Sequence, residues 1–422
     1  MLINRSHFIR YRLAYVVLLS LVGLAQPAAA FSALSHEAVV DSCWDRGLVP
    51  VLDRAYPGAT AAQLREARAY AYGGALLQDL GYFPGNTALF SDLTHYVRPG
   101  DFVRALLDEA HDRDELAFAL GALSHYVADA CGHPTGTNAV TDLVFPELRP
   151  RLGSHITYAQ APQQHAQVEF AFDVAQTTAG TYRSEAFHAA IGLQVSRAVL
   201  ERAFIRTYGL ELKQVLPHVG AGLTAFRFVA TELLPAAVRA SEYLTPGQLR
   251  QLPPADRTHY YERLNTCHFQ RRCGPATNHL SLGMRGLVVL TPTLPRLGIA
   301  SLLAFRPLPP AASAAMRASF AESVGCFQAR LTNLAAPLPN LNLDTGQPNQ
   351  AGSYPLADRT YAAWARRLAR ARQPQGLPDA ARHDLLAYFT ATPPGPAGAP
   401  SISKQTRLDL QQLLATAGNV AR

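Results

Sequence analysis

One short stretch of the sequence carries three residues that could bind a metal ion. His125, Asp129 and His133 are spaced at i, i+4 and i+8, so an α-helix would place all three on one face. Two imidazoles and a carboxylate suit a divalent cation such as zinc. Pro134 disfavours helical geometry at the preceding residue, so we expect His133 at the C-terminal end of this helix. Taken alone, the triplet is also compatible with an ordinary surface helix.

Other residues with ligand chemistry lie on either side of this helix. His165 and Glu169 form a second pair at helical i, i+4 spacing, and His36, Asp79 and His95 come earlier in the chain. A single histidine in an apolar neighbourhood is more often a satisfied core residue than a ligand. The ordered series as a whole favours a site for several metal ions.

This series resembles the zinc-dependent phospholipase C family and the related single-strand nucleases. Proteins of that group are all-helical and hold three zinc ions. Their ligands are an N-terminal residue, an early His, an Asp, a His, a His-x3-Asp helix, a further His and a final His-x3-Glu or His-x3-Asp. The chain offers a residue for each position, in the same order, over about residues 31–243.

The resemblance implies an all-α fold, a phospholipase C/nuclease-like helical bundle over residues 31–243. It also implies a set of metal ligands shared among three zinc ions. They are Phe31 and His36 on one ion, His95 and His125 on a second, Asp129 bridging these two, and His133, His165 and Glu169 on the third. Residues 244–422 would form a mainly helical C-terminal extension whose role the sequence does not indicate.

The resemblance further implies a reaction. Asp79 corresponds to the carboxylate that contacts or orients the attacking water, which makes it the candidate general base. Clustered dications lower the pKa of bound water and neutralise phosphodiester oxygens. We therefore expect in-line hydrolysis of a phosphodiester by zinc-bound hydroxide, with phospholipid as the substrate. A single-strand nuclease or nucleotidase of the same fold, or a non-catalytic zinc-stabilised module that binds lipid or another surface, are the alternatives.

Two positions leave further alternatives open. Only three residues separate Asp129 from His133, whereas the secreted bacterial phospholipases C and the nucleases usually have a longer spacing. The short spacing is similar to that in the N-terminal domain of glycosylphosphatidylinositol phospholipase D. His155 is the alternative to His165, although no carboxylate follows it four residues later.

The first 30 residues have the features of a secretory signal peptide. Arginines precede an apolar run, and three alanines end the segment at Ala30. Cleavage there would make Phe31 the mature N-terminus, whose amine and carbonyl bind zinc in the family, so processing and metal loading would be coupled. We expect a secreted or periplasmic protein. The apolar run is too short for a membrane span.

The distribution of charge and the absence of other motifs limit the partners and enzyme classes to be considered. The formal net charge is +7, with acidic residues concentrated before about residue 180 and arginines after it. The basic part could contact anionic lipid peripherally, although arginines that merely solubilise helices are the simpler explanation. No Gly-x-Ser-x-Gly elbow, phosphate-binding loop or dinucleotide-binding glycine motif is present, and no obligate protein partner is evident.

The five cysteines indicate a disulfide without defining it. In an exported protein we expect a bond among Cys267, Cys273 and Cys326, with the connectivity open. Cys43 and Cys131 leave an odd count, and we expect Cys131 to be a buried packing residue.

Overall fold

The computed structural model describes residues 33–83, 86–179, 182, 185–189, 191–228, 305–370, 377–390, 404–405, 407–409 and 411. Within these residues the protein is all-α, as the sequence predicts, and contains no β-strand. Among the same residues, no helix has the length and apolar character needed to cross a membrane.

Fifteen α-helices have defined bounds among the described residues. They are α1 Ala33–Cys43, α2 Val49–Ala55, α3 Ala61–Ala75, α4 Ala88–Tyr96, α5 Pro99–Asp108, α6 Arg113–Thr135, α7 Thr137–Val144, α8 Arg149–Leu152, α9 Pro162–Ala179, α10 Glu185–His188, α11 Arg197–Tyr208, α12 Val219–Phe228, α13 Pro310–Thr332, α14 Pro355–Arg370 and α15 Asp379–Thr390. A 3₁₀ turn, Gln78–Tyr82, lies between α3 and α4.

Helix α6 is the long buried helix that carries the first three candidate ligands. Asp112 caps its N-terminus by accepting a hydrogen bond from the backbone N–H of Glu115 at 2.8 Å. Pro134 lies in the last turn, which ends at Thr135. His133 therefore occupies the C-terminal end of the helix, as expected.

Helices α3 and α6 pack with their backbones in close contact. A Cβ atom at Gly121 would overlap the carbonyl oxygen of Ala71, and one at Gly74 would overlap that of Phe118. Glycine at these positions lets the two backbones approach. The close approach also brings the carbonyl oxygen of Ala75 near α6, where candidate ligands lie.

The C-terminal helices share the core of the N-terminal bundle. The buried side chains of Phe327 and Trp364 belong to the same hydrophobic cluster as Phe118 and Phe204. The indole N–H of Trp364 donates to the carbonyl oxygen of Tyr208 at 2.9 Å. The extension whose role the sequence left open therefore contributes directly to the packed interior.

A disulfide bond joins Cys131 on α6 to Cys326 on α13. The prediction that Cys131 is a packing residue without a partner was wrong, because its side chain faces α13. Cys326 was among the expected disulfide residues, but its partner was not. Cys267 and Cys273 lie outside the described residues, and Cys43 is a buried thiol outside the disulfide.

Candidate metal centre

The predicted metal ligands lie together in the interior of the bundle. Phe31 lies outside the described residues. Ionisable side chains withdrawn from water are costly unless they are paired or coordinate a cation. The described members are His36, Asp79, His95, His125, Asp129, His133, His165 and Glu169, each at most 6 % exposed.

Five separate elements bring these side chains to one place. Helix α6 contributes three of them from one face, and α9 contributes two at i, i+4 spacing. Helix α1, the 3₁₀ turn before α4, and the last turn of α4 supply one each, namely His36, Asp79 and His95.

Asp129 lies at the centre of the cluster and turns its two oxygens towards different histidines. Its Oδ2 is 3.1 Å from Nε2 of His125 and 3.4 Å from Nε2 of His95. Its Oδ1 is 3.4 Å from Nε2 of His36 and 3.6 Å from Nε2 of His133. Neither oxygen has a well-formed hydrogen bond with the described part of the chain. This arrangement fits a carboxylate shared between two cations.

Asp79, His95 and His125 form one group able to hold a metal ion, with ligand atoms within 4.8 Å of one another. Two main-chain carbonyls orient the imidazoles. Nδ1 of His95 lies 2.7 Å from the oxygen of Ser91, and Nδ1 of His125 lies 2.8 Å from that of Ala75. Both Nε2 atoms consequently point into the cluster. Asp79 is therefore placed to contact a metal as well as its bound water.

His36, His125 and Asp129 form a second group of the same kind. The ring of His36 stacks on that of His125, with centroids 4.0 Å apart and planes inclined by 11°. Phe31, the remaining predicted member, lies outside the described residues.

The start of α1 is fixed by a carboxylate that the sequence analysis did not single out. Asp173 on α9 accepts hydrogen bonds from the backbone N–H of Leu34 and from the hydroxyl of Ser35, both at 3.0 Å. Burial raises the pKa of Asp173 well above its usual value, although these two donors oppose the shift. The bonds attach the N-terminal end of α1 to the helix that carries His165 and Glu169.

The third group consists of His133 from α6 and of His165 and Glu169, the two predicted residues of α9. Oε1 of Glu169 is 2.8 Å from Nε2 of His165 and 3.3 Å from Nε2 of His133. Burial would raise the pKa of Glu169, but the positive charges of His165 and His133 hold it below its usual value. His155, the alternative to His165, is exposed at the surface. The geometry therefore favours His165.

Asp344 is a member of this cluster that the sequence analysis missed. It forms a group with His133 and His165 whose ligand atoms lie within 4.8 Å of one another. The residue is 2 % exposed and lies in the loop between α13 and α14. No periodic spacing links Asp344 to the other ligands, so the sequence held no signal for it beyond an acidic residue in a turn-rich segment.

Burial and local charges shift the pKa values of four of these side chains strongly. Burial disfavours the charged forms of His125 and His133, but the neighbouring carboxylates, Asp129 foremost, together outweigh it and raise their pKa values to about 9 and about 10. Burial raises the pKa of Asp79 to about 7. Burial would also raise the pKa of Asp129, but His133 and His125 hold it well below its usual value.

The donor set fits zinc. The buried oxygens of Asp129 and Glu169 have no well-formed hydrogen bonds among the residues described. Nitrogen and carboxylate oxygen are both ordinary zinc ligands. Bound cations would satisfy these acceptors. They would also replace the protons that His125 and His133 hold because their pKa values are raised.

Tyrosines lie along one side of the cluster. The ring of Tyr158 is 5.4 Å from that of His165 and 6.4 Å from that of Tyr82, between ring centroids. Tyr82 is buried and donates a 3.0 Å hydrogen bond to Asp92, whereas Tyr158 is partly exposed. An aromatic surface therefore lies next to the third group.

Residues 35–216 match the family described as zinc dependent phospholipase C. No curated protein and no solved structure matches the chain. The matched segment includes every described ligand candidate from His36 to Glu169 but ends before Asp344.

Proposed function

We propose that this protein, whose residues 35–216 match the zinc-dependent phospholipase C family, is an exported phosphodiesterase that hydrolyses phospholipid. The observation that carries the proposal is the position of Asp129, whose two oxygens face separate groups of buried histidines. Such a carboxylate is expected where two cations lie side by side.

The proposed cofactor is zinc, with three ions. The first would be held by Asp79, His95, His125 and Asp129, the second by Phe31, His36 and Asp129, and the third by His133, His165 and Glu169. When bound, zinc would lower the pKa of coordinated water and offset the negative charge of the phosphodiester.

Asp79 has the properties required of the general base. Its Oδ2 is buried and accepts no hydrogen bond from the described residues, so it is available to take a proton from water. In the metal-free protein burial raises its pKa to about 7, and bound zinc would lower it and keep the carboxylate ionised, so that it could accept a proton. The main-chain contacts that orient His95 and His125 keep their Nε2 atoms in place next to Asp79.

Export of the protein is part of the proposal. The N-terminal segment with signal-peptide features supports it, and so does the bond between Cys131 and Cys326, since disulfides persist mainly in oxidising compartments. Removal of residues 1–30 would expose the Phe31 amine for the second zinc ion.

A single-strand nuclease is the second candidate, because a partly exposed tyrosine lies next to the third group. Tyr158 offers a ring on which an unpaired base could stack. The same ring could instead contact the cationic head group of a phospholipid. Substrate assays distinguish the two.

The proposed function is tested with purified, processed protein on phosphatidylcholine vesicles, phosphoinositide vesicles and single-stranded DNA, each with and without chelator. We expect hydrolysis of phospholipid that chelator abolishes and zinc restores. Cleavage of DNA alone would support the nuclease, and stoichiometric zinc without any turnover would support a binding module.

Two histidine variants provide a matched pair for these assays. His165→Ala should lose hydrolysis and the third zinc ion, because His165 lies 2.8 Å from Glu169 in the cluster. His155→Ala should retain both, because His155 is exposed. Protein without stoichiometric zinc after correct processing would contradict the proposed function.

A further inference from the structure

A loop outside the family-matched segment lies directly against the cluster. It comprises residues 340–349 and is called here the 340–349 loop. The backbone N–H of Leu343 donates to the carbonyl oxygen of His95 at 3.1 Å, and the side-chain amide of Asn349 donates to that of Tyr96 at 2.6 Å. These bonds attach the loop to the last turn of α4, which carries one of the candidate ligands.

Consecutive residues of this loop face the outer nitrogens of the two histidines in the third group. The carbonyl oxygen of Leu343 is 3.1 Å from Nδ1 of His133. Oδ1 of Asp344 is 3.9 Å from Nδ1 of His165. On the opposite side of each ring, Nε2 faces Glu169. The loop therefore places a hydrogen-bond acceptor near Nδ1 of each imidazole, on the side of the ring away from Glu169.

Asp344 is held firmly through its other oxygen. Its Oδ2 accepts hydrogen bonds from the backbone N–H of Tyr158 at 3.0 Å and from the hydroxyl of Tyr354 at 2.8 Å. Its carbonyl oxygen accepts a 2.7 Å bond from the side-chain amide of Asn138. The carboxylate therefore cannot turn away from His165 without breaking its bonds to Tyr158 and Tyr354, and the bond from Asn138 fixes the backbone that carries it.

The two facing atoms are both buried and both lack a hydrogen bond within the described residues. They are Oδ1 of Asp344 and Nδ1 of His165. A buried acceptor and a buried potential donor in this position satisfy each other if the ring moves by about 1 Å, because a charge-assisted N–H···O bond is about 2.8 Å long. Carboxylates that accept from a ligating histidine in this way fix its tautomer and raise its basicity.

We propose that Asp344 is a positioning residue of the third zinc site. It holds His165 with the proton on Nδ1 and Nε2 towards the metal, while the Leu343 carbonyl does the same for His133. The inference rests on the proposed function only in taking zinc as the ion bound there. It assigns to the C-terminal region a part in metal binding.

The variant Asp344→Asn tests this role. Its amide oxygen can still accept from Tyr158 and Tyr354, so the loop keeps its anchors, but its NH₂ group then faces Nδ1 of His165 and cannot accept a proton from it. We expect the affinity for the third zinc ion to fall by about 10- to 100-fold, as measured by chelator competition. The other two ions should bind as in the wild type.

Asp384→Asn is the matched control. Asp384, on α15, is also a carboxylate of the C-terminal region and accepts a 3.1 Å hydrogen bond from the hydroxyl of Tyr361. It belongs to none of the candidate metal groups found among the described residues. Its zinc affinities should match those of the wild type.

A spectroscopic measurement separates positioning from a purely structural role. In the zinc-loaded wild type, the ring N–H proton of His165 should be shifted downfield by its bond to the carboxylate, and this shift should be lost in Asp344→Asn. The resonance is assigned by its absence in His165→Ala.

Two results would overturn the inference. Unchanged zinc affinity in Asp344→Asn, with or without lower stability of the metal-free protein, would leave Asp344 a structural role only. Complete loss of the third ion at saturating zinc would make Asp344 a direct ligand instead. Because these measurements follow zinc binding, they are independent of whether phospholipid is the substrate.

Discussion

Asp129 lies between the candidate metal groups. It lies within 3.6 Å of four imidazole nitrogens, yet it is only 1 % exposed. A carboxylate in such a position either holds protonated histidines or binds cations. The raised pKa values of His125 and His133 correspond to protonated histidines around the carboxylate in the metal-free protein. Bound zinc would take the place of those protons.

Replacing Asp129 should therefore disrupt two zinc sites together. In Asp129→Ala we expect zinc content to fall from three ions to one per chain and hydrolysis to drop below detection. Metal analysis by mass spectrometry and the vesicle assay measure the two effects. Asp129→Asn keeps the side-chain volume and controls for cavity formation. Full zinc content in both variants would rule out the bridging role.

The metal-free protein should lose stability as the pH rises. Unfolded histidine has a pKa of about 6.5, whereas the pKa values of His125 and His133 in the fold are about 9 and about 10. Their stabilising effect is complete below pH 6.5 and is lost as the pH rises through the folded values. Each contributes a slope of about 1.4 kcal/mol per pH unit in this window.

Urea unfolding of chelator-treated protein between pH 7 and 10 measures this loss. Zinc binding over the same range should release protons and become tighter as the pH rises, because the histidines must be deprotonated to ligate. Calorimetry in two buffers of different ionisation enthalpy counts the protons. A free energy of unfolding that stays constant with pH would show that the two histidines are neutral in the fold.

At the scale of elements, the packing of α3 against α6 sets the position of the cluster. Glycines at their contact let the backbones touch, and the contact places the carbonyl oxygen of Ala75 at Nδ1 of His125. A wider separation of the two helices would remove the acceptor that orients this imidazole. Helix packing and ligand geometry are therefore coupled.

Gly121→Ala should separate the two helices. Its Cβ would overlap the main-chain oxygen of Ala71, so we expect a loss of about 1–3 kcal/mol of stability and weaker zinc binding. Gly325→Ala, in the interior of α13, is the control, because nothing lies within 4 Å of its Cβ position. It should raise stability by roughly 0.5–1 kcal/mol. Equal effects in thermal unfolding would argue against close packing at Gly121.

At the scale of the whole molecule, the C-terminal helices complete the structure around the cluster. Helix α13 lies along α6, where Ser319 and Ser323 donate to the carbonyl oxygens of Gly132 and Ala128 at 2.7 and 3.1 Å. Along α6, the two acceptors Ala128 and Gly132 lie on either side of Cys131, the residue in the disulfide. The turn of α6 between Asp129 and His133 is consequently held from both sides.

Loss of the disulfide should destabilise the whole fold. It joins residues 195 positions apart, so breaking it gives the unfolded chain much more freedom. We expect Cys131→Ser and Cys326→Ser each to lose about 2–5 kcal/mol, as measured by chemical unfolding. The double variant should lose no more than either single variant. Clearly additive losses would show that the two cysteines do not act as one bond.

Much of the fold and the cluster follows from local periodicity. The i, i+4 spacing of His125, Asp129 and His133, and that of His165 and Glu169, predicts helices with ligands on one face, and both helices are present. The all-α class was also predictable from the resemblance. These features depend on residues close together in the chain, where the helical repeat defines which side chains are neighbours.

The remaining features are decided by tertiary structure. The partner of Cys131, the place of Asp344 behind His165, and the contact of the 340–349 loop with His133 all join residues about 180 or more positions apart. No sequence repeat relates such positions, so neither composition nor residue spacing predicts these contacts. They form only when α13 packs onto α6 and the 340–349 loop packs against the cluster. The sequence alone thus determines a helical bundle with candidate metal ligands on its helices, and packing decides which distant groups complete the cluster.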